Sequence, residues 1–238
     1  AGMAETTPVR GCCGRAIVMI AASMTASSAG TERSRGMMRW HPELVAFAGL
    51  LIVANLHLLG APTAEALIFQ GDRVIAGELW RVFTHPFVHV SFYQLALDGG
   101  AFFLCYMTLR QPHLGKRLMA IVICSLGGLG GAYLFGSVTV AYGFCGLSGA
   151  AHGVLALSML EMISDEDRIN RMTGCVCLAI LIGKCVYEVI TGVPFLGGLH
   201  FGNIGVPLLG SHLGGAVAGM LIYGLWDRSR CSVLRKCP

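Results

Sequence analysis

The chain has 238 residues, of which 55% are apolar and only 13% are charged, and its mean hydropathy is +0.68. Soluble domains are rarely so apolar, so the composition excludes an ordinary soluble protein and predicts one that crosses a membrane several times. The net charge of +4 does not indicate nucleic-acid binding, because the basic residues flank apolar segments, where they orient helices. The ten cysteines lie mostly in apolar segments or tails and predict neither a disulfide framework nor a metal site.

The N-terminal 38 residues differ in composition from the rest of the chain. They mix Ala, Ser, Thr, Gly and Arg around a short apolar stretch, residues 16–24, which is too short to span a bilayer. We expect residues 1–38 to be a disordered tail, a targeting remnant, or sequence that precedes a true start at Met37 or Met38. A membrane domain over residues 39–228 and a basic cytoplasmic tail over residues 229–238 complete the predicted organisation.

Six apolar segments follow the tail, each close to the roughly 20 residues that a membrane-spanning helix needs. They cover residues 43–61, 88–109, 118–141, 143–163, 173–193 and 208–226. The third and fourth segments are nearly continuous, so a tight turn near residues 141–143 must separate them. The predicted fold class is an all-α membrane protein with six transmembrane helices.

Positive charges alternate along the segments that connect these spans. Lys and Arg precede the first span, lie between the second and third and between the fourth and fifth, and follow the sixth. The connections from span three to four and from five to six contain none, and the long first connection has only Arg73 and Arg81. The positive-inside rule therefore places both termini in the cytoplasm, so that spans two, four and six begin at the outer face.

Polar residues gather near the start of those three spans. Ser148 is predicted about five residues into span four, which at 1.5 Å per residue is roughly 8 Å below the outer surface. Polar residues scattered through a core would not share one depth, so the pattern predicts a single polar site beneath the outer face. The residues concerned are His89, Gln94, Ser148, His152 and His212.

A serine and a distant histidine at one depth are the groups that a nucleophile and its general base require. His212 is predicted to take the proton of Ser148, because imidazole titrates near neutral pH and a serine hydroxyl needs a base. Gly149-x-x-x-Gly153 and Gly215-x-x-x-Gly219 would let the two helices approach closely. The alternative is that the serine caps or packs and that the glycines are ordinary membrane packing. The matched depth of the two motifs favours catalysis.

These motifs resemble those of the rhomboid family of intramembrane serine proteases. Gly146-Leu147-Ser148-Gly149 is similar to the family's G-x-S-G, and the residues from His212 to Gly219 are similar to its H-x-x-G-x-x-x-G. Glu78-x-Trp80-Arg81 resembles the first-loop motif, and the resemblance covers about residues 39–227. Residues 146–153, which carry the pattern G-L-S-G-x-x-H-G, are similar to the bacterial rhombosortase-like branch, which is thought to process proteins with a glycine-rich C-terminal sorting anchor.

The resemblance implies a six-helix rhomboid-like bundle that acts as a serine endopeptidase through a Ser148–His212 dyad, with no third acidic member, no metal and no cofactor. Substrates would be single-span membrane proteins, cut near the outer end of their helix. We expect a monomer in the lipid bilayer of the cell inner membrane, a multi-pass protein with no nucleic-acid partner. Residues 62–87 would form a first loop that dips into the membrane, with Trp80 at the interface and Arg81 bonded to loop carbonyls.

Span two departs from the family pattern at the predicted oxyanion hole. Rhomboids often place His and Asn where this chain has Gln94 and Asp98, four residues apart. Gln94 can donate through its amide, whereas Asp98 can donate only when it is protonated, and it could instead pair with a histidine or bind water. His89 is either an interfacial polar residue or a part of the site. Gly146, Gly149 and Gly215 are expected to support the site.

His152 lies four residues after Ser148 and therefore on the same helix face. Many rhomboids have an aromatic residue here that stacks on the catalytic histidine, so we favour stacking and orientation of His212. A hydrogen bond to His212, a role as a second base, and a buried imidazole satisfied by a backbone carbonyl are the alternatives.

Two further features admit a structural and a functional interpretation. Lys184 and Glu188 lie four apart in span five, and mutual pairing is the economical explanation for charges within a membrane. Residues 192–207, which are rich in Gly and Pro, are either a mobile lid over the serine or a passive loop.

Two other functions compete with proteolysis. The first is a catalytically inactive rhomboid-like protein that binds membrane helices, although such relatives usually lack the serine or the histidine. The second is a small transporter or channel that uses Asp98, Lys184 and Glu188 as a polar pathway. It is disfavoured because the polar groups cluster near one face.

Overall fold

A computed structural model describes residues 41–61, 64–135, 143–195, 197 and 201–234 of the chain. The predicted tail over residues 1–38, most of the turn predicted at 141–143 and the last four residues lie outside this part. The described residues belong to one compact unit, which covers residues 38–238.

The described part is helical, and six helices in it have 12 or more residues. Two of them have start or stop signals in the sequence: Ser91 and Asp167 accept backbone N–H groups at the starts of the second and fifth, and Gly192, with φ +67°, ends the fifth. The helices are α1 (Glu43–Ala54), α2 (Phe92–Met107), α3 (Leu114–Phe135), α4 (Ser148–Ile163), α5 (Arg168–Thr191) and α6 (Gly210–Leu234).

The helices differ from the predicted spans at their starts and at their ends, and α1 already ends at Ala54. α2 and α4 begin four and five residues later than expected, and α6 continues into the predicted C-terminal tail as far as Leu234. Only α3 and α5, among the described residues, are long and apolar enough by length and composition to cross a membrane. The prediction of an all-helical architecture therefore agrees with the structure, while the number of spans and the orientation of the termini stay predictions.

The connection between α1 and α2 is built from short helical turns. Arg81 fixes it, because its guanidinium donates to the carbonyls of Glu65 (2.6 Å) and Ile68 (2.7 Å) and pairs with Glu78. The prediction that Arg81 bonds loop carbonyls is thereby confirmed. The turns are the 3₁₀ helices Leu56–Leu59 and His85–Phe87 and the α-helices Ala64–Leu67, Gly71–Ile75 and Arg81–Thr84.

Glycine contacts bring α3, α4 and α6 together at backbone distance. A Cβ atom added at Gly215 or at Gly219 would collide with the backbone carbonyl oxygen of Gly149 or Gly153, respectively. On its other side α6 meets α3 in the same way, through Gly210 and Gly214 against Gly127 and Gly131. Small residues let helix backbones approach this closely, so these strips fix how the first turns of α4 and α6 face each other.

Candidate active site

A cavity of about 560 Å³ lies where several helices begin or end. Gln94, Ser148 and His212 all lie in the first turns of their helices, α2, α4 and α6, and Glu188 lies in the last turn of α5. Free backbone N–H groups at helix starts make such a place favourable for a negative charge. The cavity is lined by Gln94, Asp98, Ser148, His152, Lys184, Glu188 and His212, and by apolar residues of α2 and of the α5–α6 connection.

Ser148 is the first residue of α4, and this corrects the expectation that it lies five residues into a helix. Residues 143–147 are not helical: Phe144 forms an isolated antiparallel bridge with Phe69, and Gly146 has φ +108°. The N–H of Gly146 donates to the carbonyl of His85 at 3.0 Å. Only glycine adopts this backbone conformation freely, so Gly146 makes the turn that carries the serine to the head of its helix.

Stacked imidazole rings join α4 to α6. The rings of His152 and His212 lie 4.1 Å apart between centroids and 9° from parallel. The Nδ1 of His152 is also 2.7 Å from the carbonyl oxygen of Ser148, which can only accept a hydrogen bond. His152 therefore carries its proton on Nδ1 and, when neutral, presents Nε2 as an acceptor. Two of the predicted roles, stacking and a bond to a backbone carbonyl, are thus compatible.

Lys184 and Glu188 form the pair that the sequence indicated, with Nζ and Oε2 2.9 Å apart. They are not separate from the site, however. The Lys184 ammonium lies 2.7 Å from Nε2 of His152, and Oε2 of Glu188 lies 2.7 Å from Nδ1 of His212. The structure thus differs from the expectation of a histidine without an acidic neighbour.

These contacts determine where His212 carries its proton. A carboxylate accepts hydrogen bonds only, so Nδ1 of His212 donates to Glu188. The 3.0 Å approach of Lys184 to the same Nδ1 is then a contact between two donors, and both of them donate to Oε2 of Glu188. The neutral imidazole is left with its lone pair on Nε2, which is the form that a general base needs.

Ser148 and His212 line the same cavity, but no hydrogen bond joins the Ser148 hydroxyl to His212 in the described part of the chain. Bonds between a nucleophile and its base are often long in enzymes without substrate and tighten when substrate binds. The backbone places both groups at helix starts, which the contact of Gly149 with Gly215 holds together.

Gln94 is oriented by its neighbours so that its amide can donate into the site. Its Oε1 accepts the backbone N–H of Val90 at 2.8 Å, which leaves Nε2 as the free end. A Cβ atom at Gly146 would lie 2.9 Å from that Nε2, so the amide reaches the turn that immediately precedes Ser148.

Asp98 lines the cavity one helical turn after Gln94, and His89 lies next to it. The Asp98 carboxyl group faces the backbone N–H groups of Leu147 and Ser148, and its Oδ2 lies 3.7 Å from Nε2 of His89. His89 is fully buried and does not line the cavity. Its backbone is held by Asn55, which accepts its N–H at 2.8 Å. An ionised Asp98 would therefore act as an acceptor toward the serine N–H rather than as an oxyanion donor.

The connection between α5 and α6 is hydrogen-bonded to the site at one described end and to α2 beyond it. The N–H of Phe195 donates to Oε1 of Glu188 at 3.0 Å, and the N–H of Phe201 donates to the hydroxyl of Tyr93 at 3.2 Å. The hydroxyl of Ser91, at the start of α2, also donates to the carbonyl of Asn203. This segment is thus bonded both to the acidic residue of the site and to α2.

A comparison with protein families gives the fold and site a context. The model of the Rhomboid domain matches residues 76–228, which is more than half of the chain and includes every residue of the cavity named above. The chain belongs to the rhomboid family. No curated protein matches this sequence. Rhomboid proteins are embedded in membranes and are typically intramembrane serine proteases, although some members are inactive.

Sequence reasoning identified most residues of this site but not the link between α5 and His212. One available signal was depth. Glu188 lies five residues before the predicted end of span five at residue 193, which is the distance that Ser148 was expected to lie from the start of span four. Comparing depth across all six spans, rather than only spans two, four and six, would have placed Glu188 with Ser148 and His212.

Proposed function

We propose that this protein is an intramembrane serine endopeptidase in which Ser148 is the nucleophile and His212 is the general base. The observation that carries the proposal is the arrangement of one cavity: the serine heads a helix, and the histidine lines the same space with Nδ1 held by an acceptor. Because the carboxylate of Glu188 holds the proton on Nδ1, Nε2 of His212 is free to accept the proton of the serine.

The reaction follows from these positions. His212 Nε2 takes the proton of Ser148 Oγ as the oxygen attacks a peptide carbonyl, and the carbonyl oxygen becomes an oxyanion. The Gln94 amide and the backbone N–H of Ser148 stabilise that charge, each donor contributing on the order of 3 kcal/mol. His212 then gives its proton to the leaving amine. A water molecule, deprotonated by His212 in the same way, hydrolyses the acyl-enzyme and restores Ser148.

Substrates are proposed to be single-span membrane proteins, cut near the outer end of their helix. The support is the apolar lining of the cavity, which comes from Leu97 and Ala101 of α2 and from Pro194 and Phe195 beyond α5 and suits an unwound membrane segment. The outward location rests on the positive-inside pattern of the connections. The resemblance of residues 146–153 to the rhombosortase-like branch supports substrates with a glycine-rich C-terminal sorting anchor.

A cleavage assay in proteoliposomes tests this proposal. The full chain and its Ser148→Ala variant are reconstituted with single-span reporter proteins, with and without a glycine-rich C-terminal anchor, and the products are identified by mass spectrometry. Cleavage within or at the end of the reporter helix by the wild type alone supports the proposal. Reporter that co-purifies with both proteins and stays intact would instead indicate an inactive, helix-binding relative.

A further inference from the structure

The carboxylate of Glu188 contacts three groups around the site. The catalytic scheme above uses only its contact with His212 and leaves the other two unexplained. Oε2 accepts from Nδ1 of His212 at 2.7 Å and from Lys184 at 2.9 Å, while Oε1 accepts the N–H of Phe195 at 3.0 Å. The residue is 1% exposed, although it lies on a helix whose other face carries exposed apolar side chains. A buried charge is costly to place, and both oxygens of this carboxylate have partners, so its contacts call for an explanation beyond packing.

We propose that Glu188 is a positioning residue for catalysis: it holds His212 with the proton on Nδ1, so that Ser148, His212 and Glu188 act as a serine–histidine–glutamate triad within the membrane. The inference rests on the proposed function. It departs from a simple dyad, in which the histidine would rely on ring stacking alone for its orientation.

Lys184 explains how a carboxylate can lie at this depth. Its ammonium balances the charge of Glu188 and also donates to Nε2 of His152, which is the acceptor end of that ring. Stacking of His152 on His212 then fixes the plane of the second ring, and Glu188 fixes which edge of it faces the serine. The four side chains form one hydrogen-bonded unit in which each proton has a defined place.

The bond from Phe195 makes the substitution Glu188→Gln informative. The Phe195 N–H requires an acceptor, so the amide oxygen of the glutamine faces the loop and its NH₂ faces Nδ1 of His212. Two donors cannot share that contact, and His212 must shift its proton to Nε2, where it can no longer act as a base. In soluble serine proteases the wrong tautomer lowers kcat by about 10⁴-fold.

The experiment measures the rate at which a fluorophosphonate labels Ser148 in detergent-purified protein, per folded molecule as judged by thermal unfolding. We expect Glu188→Gln to label at least about 100-fold more slowly than wild type, and Glu188→Asp to recover part of that loss because it keeps an acceptor. Glu161→Gln is the matched control: Glu161 accepts the N–H of Arg110 at the other end of α4, away from the cavity, and its labelling rate should not change.

The double variant Lys184→Met/Glu188→Gln separates orientation from charge pairing. If Glu188 only neutralises Lys184, removing both charges restores the wild-type rate, and the inference is overturned. If Glu188 orients His212, the double variant folds but labels as slowly as Glu188→Gln. Wild-type protein that does not label at all contradicts the proposed function, whereas wild-type labelling that Glu188→Gln leaves unchanged contradicts only this inference.

Discussion

Helix α6 makes two kinds of contact, one through glycines and one through the polar groups of the cavity. Through Gly210, Gly214, Gly215 and Gly219 the helix packs backbone to backbone against α3 and α4. Toward α2 and α5 it faces a cavity lined by amide, carboxyl, ammonium and imidazole groups. In the most apolar stretch of α3, 44% of the residues are buried, against 22% in that of α5, and α5 carries Lys184 and Glu188 of the cavity. The glycine contacts thus set how α6 packs, whereas the polar groups of the cavity set what reaction the site can perform.

This comparison predicts that changes on the polar side alter rate far more than stability. The largest effect is expected for Gln94→Met, which removes the amide donor while keeping the length of the side chain. Loss of an oxyanion donor costs about 10²- to 10³-fold in rate, measured as fluorophosphonate labelling or reporter cleavage, with a small change in the unfolding temperature. Gln111→Met, a buried glutamine that does not line the cavity, is the control. Equal losses in both variants would contradict the assignment of Gln94.

Changes at the glycine contacts of α6 should alter stability more than the labelling rate. Gly215→Ala adds a Cβ that collides with the carbonyl of Gly149, and separating the helices should cost about 1–3 kcal/mol of unfolding free energy. Gly224→Ala lies on the same helix with open space around it, and its stability should stay within about 0.5 kcal/mol of wild type. Thermal unfolding in detergent compares the two. Similar stability of both alanine variants would show that the close approach is not required.

Loss of the stacking between His152 and His212 should lower the labelling rate less than loss of the Gln94 amide does. His152→Phe keeps an aromatic ring against His212 but loses both nitrogen contacts, whereas His152→Ala loses the ring as well. Because an aromatic pair contributes about 0.5–1.5 kcal/mol, we expect the alanine variant to label roughly 2- to 10-fold more slowly than the phenylalanine variant. Complete loss of labelling in His152→Phe, with labelling retained in His212→Ala, would identify His152 as the base instead.

The smallest effect on the labelling rate is expected at Asp98. Its carboxyl group faces the Ser148 N–H that the oxyanion requires, so Asp98→Asn should relieve a competing acceptor and add a donor of the same shape. Labelling is expected to rise by roughly 2- to 10-fold, the equivalent of one ordinary hydrogen bond. A fall in labelling, measured beside Gln94→Met, would contradict this account and show that the Asp98 carboxylate supports the turn before Ser148 through the N–H groups of Leu147 and Ser148.

The difference between the two sides also explains what the sequence could predict. Gly149, Gly153, Gly215 and Gly219 keep a helical spacing along the chain, and that spacing predicted a close approach of the two helices, which the structure shows. Arg81 and its loop carbonyls were likewise predictable, because the first-loop motif resembles that of a known family. These features depend on neighbours in the sequence or on a motif.

The part that sequence reasoning missed depends on how helices rotate about their own axes. The spacing of Lys184 and Glu188 indicates that they face the same way, but not whether that face looks toward α4 and α6 or away from them. The start of α4 was also misplaced, because Gly143 to Leu147 are apolar enough to extend a membrane span. The positive φ of Gly146 and the bridge from Phe144 to Phe69 end that continuity, and both depend on tertiary contacts.

Identifying the residue that a fluorophosphonate modifies tests the central claim most directly. Detergent-purified wild type, Ser148→Ala and His212→Ala are treated with the probe, and the modified peptide is located by mass spectrometry. We expect one adduct, on Ser148, in the wild type and none in either variant, although all three proteins remain folded. A folded wild type that forms no adduct, or an adduct on Ser148 that persists in His212→Ala, would contradict the account of a serine activated by His212.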